Sequence, residues 1–389
     1  MLLAPAEEKM WESHSKNRVN TMTDKEINAK YESGEQRILT EMNREKLPSF
    51  AEALKKPGYM DLLPFYQRRS RWDKKMQSRL IESFLLNVPV PPIILYQKNY
   101  NSYGVIDGQQ RITTIQDFYE NRLVLTGLEI WSELNGRTYD TLPTKIKAVI
   151  DRRSISLIVL ITESTSDPEE AFFLKQLVFK RLNTCGVPLS RQEVRNYLYS
   201  GKFNQLLFEL ASNSIFAEAW RIPVGNREEL VQNNLYKKME DVELVLRFFA
   251  LRHVEDSRWE IEEFLDLYMI KSLNFSDEDI DILRDIFLKT VNLAHKIYGD
   301  NLFKPFDPET NMWKDRADKA YYDAVMVGFS NHLADANVLV ERKSKVIEET
   351  KKLFRKDKSK LFTGSGKTKA DIQERIRLFD NMLSQVIVE

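Results

Sequence analysis

Apolar residues recur at two different spacings along this chain, and the change from one spacing to the other outlines its architecture. Between residues 73 and 86, Met76, Leu80 and Phe84, with Ile81 and Leu85 beside them, fall on one face of a helix that Pro89, Pro91 and Pro92 bring to a stop. Ile93 to Tyr96 then reads as a strand, Asn99 to Ser102 as a turn, and Tyr103 to Ile106 as a second strand paired with the first. From Gln110 onward Ile112, Ile115 and Phe118 return to helical spacing. Further short strands are expected at Tyr59 to Leu63 and at Leu123 to Leu125, a helix near Thr144 to Ile150, and a buried strand over Ile155 to Ile161. A helix should start at Pro168, with Phe173, Leu174, Leu177 and Val178 as its stripe, and Ser190 with Glu193 forms a capping box for another. Everything beyond reads as helix: Met239, Val242, Leu246 and Phe249 form one stripe, and Ile372, Ile376, Phe379, Leu383 and Val386 form another.

The pattern therefore predicts an α+β fold, a small mixed sheet with helices, followed by an all-helical bundle of five or six members. Residues 1–47 are polar and charge-dense and read as a loosely packed helical arm without chemistry of its own. Gly225-Asn226 marks the boundary between a mixed domain at 48–224 and the bundle at 225–389.

Charge narrows the possible partners. The 389 residues carry 58 Lys and Arg against 58 Asp and Glu, so no global field draws the chain to a polyanion, and any such site has to be a local cluster. Near-zero net charge also permits homo-oligomers. No run of apolar residues is long enough to span a bilayer, and charged Glu7, Glu8 and Lys9 come too early for a signal-peptide core, so no membrane partner and a cytoplasmic location are expected. Cys185 is the sole cysteine, which excludes an internal disulfide and a cysteine-ligated zinc site.

Candidate chemistry gathers at Val105-Ile106-Asp107-Gly108-Gln109-Gln110-Arg111, a polar run on a strand-to-helix corner. Gly108 lets the backbone approach a ligand, and the helix start behind it carries about half a positive charge, which suits an anion. Arg111 offers a forked cation for phosphate, Thr113 and Thr114 offer hydroxyls, and Asp107 is the carboxylate expected to accompany a divalent ion. The competing reading makes Asp107 a helix cap and leaves Arg111 and the glutamines in solvent. A second basic corner, Gln67-Arg68-Arg69-Ser70-Arg71-Trp72, interleaves cations with an aromatic and suits phosphate contact with base stacking, its alternative being an exposed charge run. The most basic window contains Lys351, Lys352, Arg355 and Lys356; runs of this kind are usually solvated helix ends, and nucleic-acid contact is the alternative. Gly364-Ser365-Gly366-Lys367-Thr368 lacks the first glycine of a phosphate loop and the strand before it, and His253 reads as a core histidine.

The string DGQQR followed by I-T-T-I resembles the signature of a family of bacterial domains that also forms the N-terminal part of GmrSD-type, modification-dependent restriction enzymes. The resemblance extends to P-F-Y-Q-R-R-S-R-W at 64–72, to the segment 80–93 and to F-K-R-L-N-T-C-G-V-P-L-S-R-Q-E-V-R-N at 179–196. It implies a domain related to the ParB/sulfiredoxin fold, with a nucleotide pocket near which the 179–196 segment, including Arg181 and Asn183, would lie. Cys185 stands where a second glycine is expected. Taken with the residue chemistry, it implies a magnesium-dependent NTPase in which Asp107 holds Mg2+ or the attacking water, Gln109 and Gln110 hold water and phosphate, and Arg111 meets the developing charge. Gln67, Arg68 and Arg69 would hold distal phosphates, and Arg71 with the Lys351 window would meet DNA. The alternative is a non-catalytic DNA-binding or regulatory adaptor that works with a separate nuclease partner, since glutamine is a poor base and no His or Lys adjoins Asp107. Intrinsic nuclease activity is the weakest of the three readings, because the four histidines form no His-Asn-His-type cluster. Defence against foreign DNA is implied by the resemblance alone.

Overall fold

A computed structural model of the chain describes residues 3–11, 23–25, 28–29, 39–61, 72–99, 101–161, 190–199, 201–255, 260–355, 357–364 and 368–388. Two units emerge, Val19–Leu189 and Met1–Arg18 together with Ser190–Glu389.

The first unit is built on β1 (Leu39–Lys46), α1 (Leu47–Ala53), β2 (Met60–Asp61), α2 (Lys74–Leu86), β3 (Ile93–Asn99), β4 (Ser102–Asp107), α3 (Gln109–Tyr119), α4 (Thr144–Asp151) and β5 (Ser154–Ile161). Its sheet runs β1-β5-β3-β4-β2, four main strands with the two-residue β2 at one edge. β3 pairs antiparallel with β4 and parallel with β5, while β1 pairs antiparallel with β5, so the sheet is mixed as expected. Ile93 and Leu95 of β3, Val105 of β4 and Ile155, Leu157 and Val159 of β5 form one apolar face. Phe50, Ile81, Phe84, Ile112, Ile115, Phe118 and Ile150 of the four helices close over it. α2 begins where the Asp73 carboxylate accepts the Met76 N–H at 2.7 Å, and it ends at Asn87 in the left-handed region (φ 62°), just ahead of the prolines.

Two local expectations change. Residues 39–46, read as part of a helical arm, form the edge strand β1; its sequence L-T-E-M-N-R-E-K has no apolar alternation because neither face of most of the strand is covered. Residues 123–125 are not a strand: Leu125 exchanges two backbone hydrogen bonds with Gly136 and Arg137, while Leu123 and Leu125 are buried as loop anchors under the helices. The expected helix starting at Pro168 lies outside the described residues.

In the second unit the main helices are α5 (Arg191–Leu198), α6 (Lys202–Ala211), α7 (Glu240–Leu251), α8 (Ile261–Lys271), α9 (Asp277–Tyr298), α10 (Lys319–Asn331), α11 (Lys343–Arg355) and α12 (Lys369–Val388). Six of these, α7 to α12, lie within residues 225–389, where five or six members were expected; α5 and α6 precede that boundary. A two-residue hairpin, β6 (Phe306–Asp307) with β7 (Met312–Trp313), is the one non-helical pairing among the described residues here. The predicted stripes of α7 and α12 are buried throughout. The capping box at α5 is formed: Ser190 Oγ accepts the Glu193 N–H at 3.2 Å, and Glu193 Oε2 accepts the Ser190 N–H at 2.7 Å. None of the described helices is long and apolar enough to cross a membrane.

Candidate functional site

The DGQQR corner forms because β4 ends where its last residue pairs with Ile94 of β3, next to a bulge, and the chain then turns straight into α3. Gly108 is the turning point. Its φ of 100° is closed to most side chains, and a Cβ would meet Ile93 Cγ1 at 2.9 Å and the Arg111 guanidinium at 3.1 Å. Gly108 is also the N-cap of α3, so Asp107 is not, and the glycine brings no side chain of its own to cap the helix.

Asp107 and Arg111 are drawn together. The Arg111 guanidinium folds back over Gly108 and donates from Nη2 to Asp107 Oδ2 at 2.7 Å and to the Pro92 carbonyl at 3.3 Å. The Arg111 side chain is 12% exposed and that of Asp107 39%, which makes the pair a half-open rim. Gln109 is buried, Gln110 and Thr113 are half-buried, and Thr114 is fully buried with its hydroxyl donated to the Gln110 carbonyl at 2.7 Å. Thr114 thus faces inward, and Thr113 is the hydroxyl nearer the surface.

Gln67, Arg68, Arg69, Arg71, Arg181, Asn183 and Lys356 lie outside the described residues. The Lys351 window is engaged within its own unit: Lys352 pairs with Glu349 at 2.8 Å, and Lys351 and Arg355 lie over the Phe306 ring at 5.2 and 5.6 Å. Thr368 caps the start of α12, its Oγ1 accepting the Asp371 N–H at 3.2 Å and donating to the Asp371 carboxylate at 2.6 Å. His253 is buried beside Glu7. Arg195, in the 179–196 segment, is buried among carboxylates of the helical unit, with Asp266 at 2.6 Å, Glu262 at 2.8 Å and Glu243 at 3.1 Å. Burial works against its charge, but these acids outweigh burial and hold its pKa up. The sequence pattern assigned this arginine no task of its own; its acids come from helices far along the chain, a partnership no local pattern signals.

Whether the corner fits magnesium turns on its donors. Among the described residues no group of three or more His, Cys, Asp or Glu side chains is arranged to hold a metal. Asp107 is the carboxylate at the corner among the described residues, with one oxygen engaged by Arg111. That suffices for Mg2+ only in the form in which it accompanies a nucleotide, where phosphates and waters supply most of the ligands and the protein one or two carboxylates.

Sheet, corner and helices together define an α+β domain with an acid and an arginine paired at a strand-to-helix turn. Residues 50–200 match the family model described as GmrSD restriction endonuclease, N-terminal domain, in agreement with the motifs of the sequence. No curated protein matches the chain. No solved structure does either.

Proposed function

We propose that the DGQQR corner is a nucleotide site, and that the chain is an NTP-hydrolysing module acting with DNA in defence against foreign DNA. In this reading the small mixed sheet is the ParB/sulfiredoxin-like core that the motifs imply. The single observation that supports the site most strongly is the Asp107–Arg111 pair held over Gly108 at the start of α3. One carboxylate, one forked cation and a helix N-terminus meet there, which is what phosphoryl transfer asks of a protein. Asp107 would give one oxygen to magnesium, which when bound neutralises charge on the phosphate oxygens. Half-buried Gln110 is better placed than buried Gln109 to orient water, and Arg111 would turn from Asp107 to the phosphate as charge develops. Arg68 and Arg69 would take distal phosphates. The DNA and defence part rests on the family match of residues 50–200, and a separate nuclease partner belongs to the same reading.

Phosphate release from ATP, GTP, CTP and UTP with magnesium, with and without DNA, tests the site in wild type, Asp107→Ala, Arg111→Ala and Arg111→Lys. Turnover should fall by about 100-fold or more in all three variants while their melting temperatures stay near wild type. Wild-type rates in the variants would remove the corner from the mechanism.

One observation favours a second reading, a non-catalytic adaptor: the acid and the arginine neutralise each other, so the charge of the corner is already balanced without chemistry. Saturable binding of a fluorescent nucleotide with no phosphate release would select it.

A further inference from the structure

A cleft of about 710 Å³ opens in the first unit where β1, the start of β5 and the loop after α2 meet. Four cations line it: Arg44 and Lys46 from β1, and Arg152 and Arg153 from the turn into β5. Ser154, Ser156 and Asn87 add neutral hydrogen-bonding groups, and among the described residues that line it none is acidic. In a chain whose charges cancel, such a one-sign cluster needs a cause.

The register supplies the local one. Arg44 stands opposite Ser156 and Lys46 opposite Ser154 across the β1–β5 ladder, so alternation puts all four on one face of the sheet, turned away from the α1–α4 core. Glu45, the acid between the two cations, points to the other face, where it accepts the Tyr59 hydroxyl at 3.3 Å.

Not all four cations have the same task. Arg153 donates to the Phe84 and Leu85 carbonyls at 2.9 and 3.2 Å and so holds the C-terminal end of α2. Lys46 Nζ donates to the Arg152 carbonyl at 2.6 Å and fixes the corner. Among the described residues no side chain pairs with the guanidinium of Arg44 or of Arg152, and both residues are exposed. Two supporting cations thus build a frame, and two forked ones face the opening.

We infer that this cleft binds the sugar-phosphate backbone of duplex DNA, with Arg44 and Arg152 on successive phosphates and Ser154 and Ser156 donating to phosphate oxygens. Guanidinium and hydroxyl groups together match phosphate better than carboxylate, which argues for a nucleic acid over an acidic peptide. A line of cations along a strand and around a corner fits a polymer of phosphates better than one small anion. The cleft also lies at the same end of the sheet as Asp107. The segment between α2 and β3 separates them: Val88 to Val90 line the cleft, and Pro92 receives Arg111. The inference rests on the DNA part of the proposed function and not on nucleotide hydrolysis.

The test is anisotropy of a short fluorescein-labelled duplex across a KCl series, with a fluorescent ATP analogue titrated in parallel and polyglutamate as competitor. Arg44→Ala combined with Arg152→Ala should weaken DNA binding about tenfold or more at ~100 mM salt and reduce the salt slope by roughly 2, as expected for two lost phosphate contacts. ATP-analogue affinity and melting temperature should not change, and polyglutamate should not displace the duplex. Unchanged DNA affinity in the double variant overturns the inference, as does loss of nucleotide affinity in its place, displacement by polyglutamate, or a wild type that does not bind DNA. The last result would also remove DNA from the proposed function, whereas the nucleotide site stands or falls on phosphate release alone.

Discussion

Glu7 shows how much one residue decides in the helical unit. Its carboxylate is wholly buried, accepts Arg252 Nη1 at 3.2 Å and the Tyr268 hydroxyl at 2.7 Å, and lies 3.0 Å from His253 Nε2. Burial alone would raise its pKa, but the Arg252 charge and the hydrogen bonds outweigh it and hold the group at about 2, against an ordinary 4.5. A depressed acid contributes stability that is complete above the unfolded value and is lost as pH falls through the folded one. The window is therefore pH 4.5 to about 2, and the contribution is on the order of 3 kcal/mol. Glu7→Gln should cost about 3–5 kcal/mol at neutral pH, because Arg252 is left buried without its counter-charge. Thermal melts from pH 7 down to pH 2 check both: the gap between wild type and Glu7→Gln should narrow below pH 4.5, and a gap independent of pH would exclude Glu7 as its source. Nothing in the sequence marks this residue, since, apart from the Ala4 N–H that it accepts three positions back, its partners are more than 240 positions away. The turn at Gly108 was legible for the opposite reason, since strand end, glycine and helix start are contiguous, whereas the (i, i+4) pair of Asp107 with Arg111, though local, was not foreseen. Arg44 and Arg152 were not legible, because only the β1–β5 pairing brings them together.

At the scale of elements, what could be read from the sequence follows burial. β3, β4 and β5 and helices α2, α3, α4, α7 and α12 bury continuous apolar faces, and their spacing was visible in advance. β1 buries almost nothing and exists through its ladder with β5, so its residues looked like part of a polar arm. The segment 123–125 shows the reverse, apolar residues in a strand-like run that serve as anchors under helices. The packing of α10 on α12 illustrates a further constraint that periodicity does not reveal. Gly328 lies in the middle of α10, where a helix pays for glycine in stability, yet a Cβ there would come within 2.6 Å of the Phe379 ring on α12. The close approach of the two helices requires its absence. Gly328→Ala should therefore destabilise by about 1–3 kcal/mol in spite of the better helix propensity of alanine. Urea denaturation decides this, with Gly328→Ala/Phe379→Leu expected to recover part of the loss by removing the obstructing ring. A single variant as stable as wild type, or more so, would mean that α10 and α12 can separate freely.

For the whole molecule the governing quantity is the balance of 58 positive against 58 negative side chains. Net charge near zero removes the mutual repulsion that keeps proteins apart, so copies should associate most readily near neutral pH and low salt. The pH response is expected to be asymmetric. Few side-chain types have ordinary pKa values between about pH 7 and pH 9, so the attraction should persist across a plateau. On the acid side the carboxylates, taken together, add a large positive charge below about pH 5. Static light scattering at low salt should therefore give its highest apparent mass from neutral to mildly alkaline pH and a steep fall toward pH 5. The same fall should follow added salt at pH 7 if opposed surface charges hold the copies together. Below pH 4.5 the two effects diverge, because charge repulsion continues to separate the copies while protonation of Glu7 loosens the helical unit and exposes apolar surface. Scattering that rises again only below that pH in wild type would identify the second rise as unfolding and the neutral maximum as charge balance, whereas an apparent mass that ignores pH between 5 and 9 would show that apolar contacts, not charge, set the association.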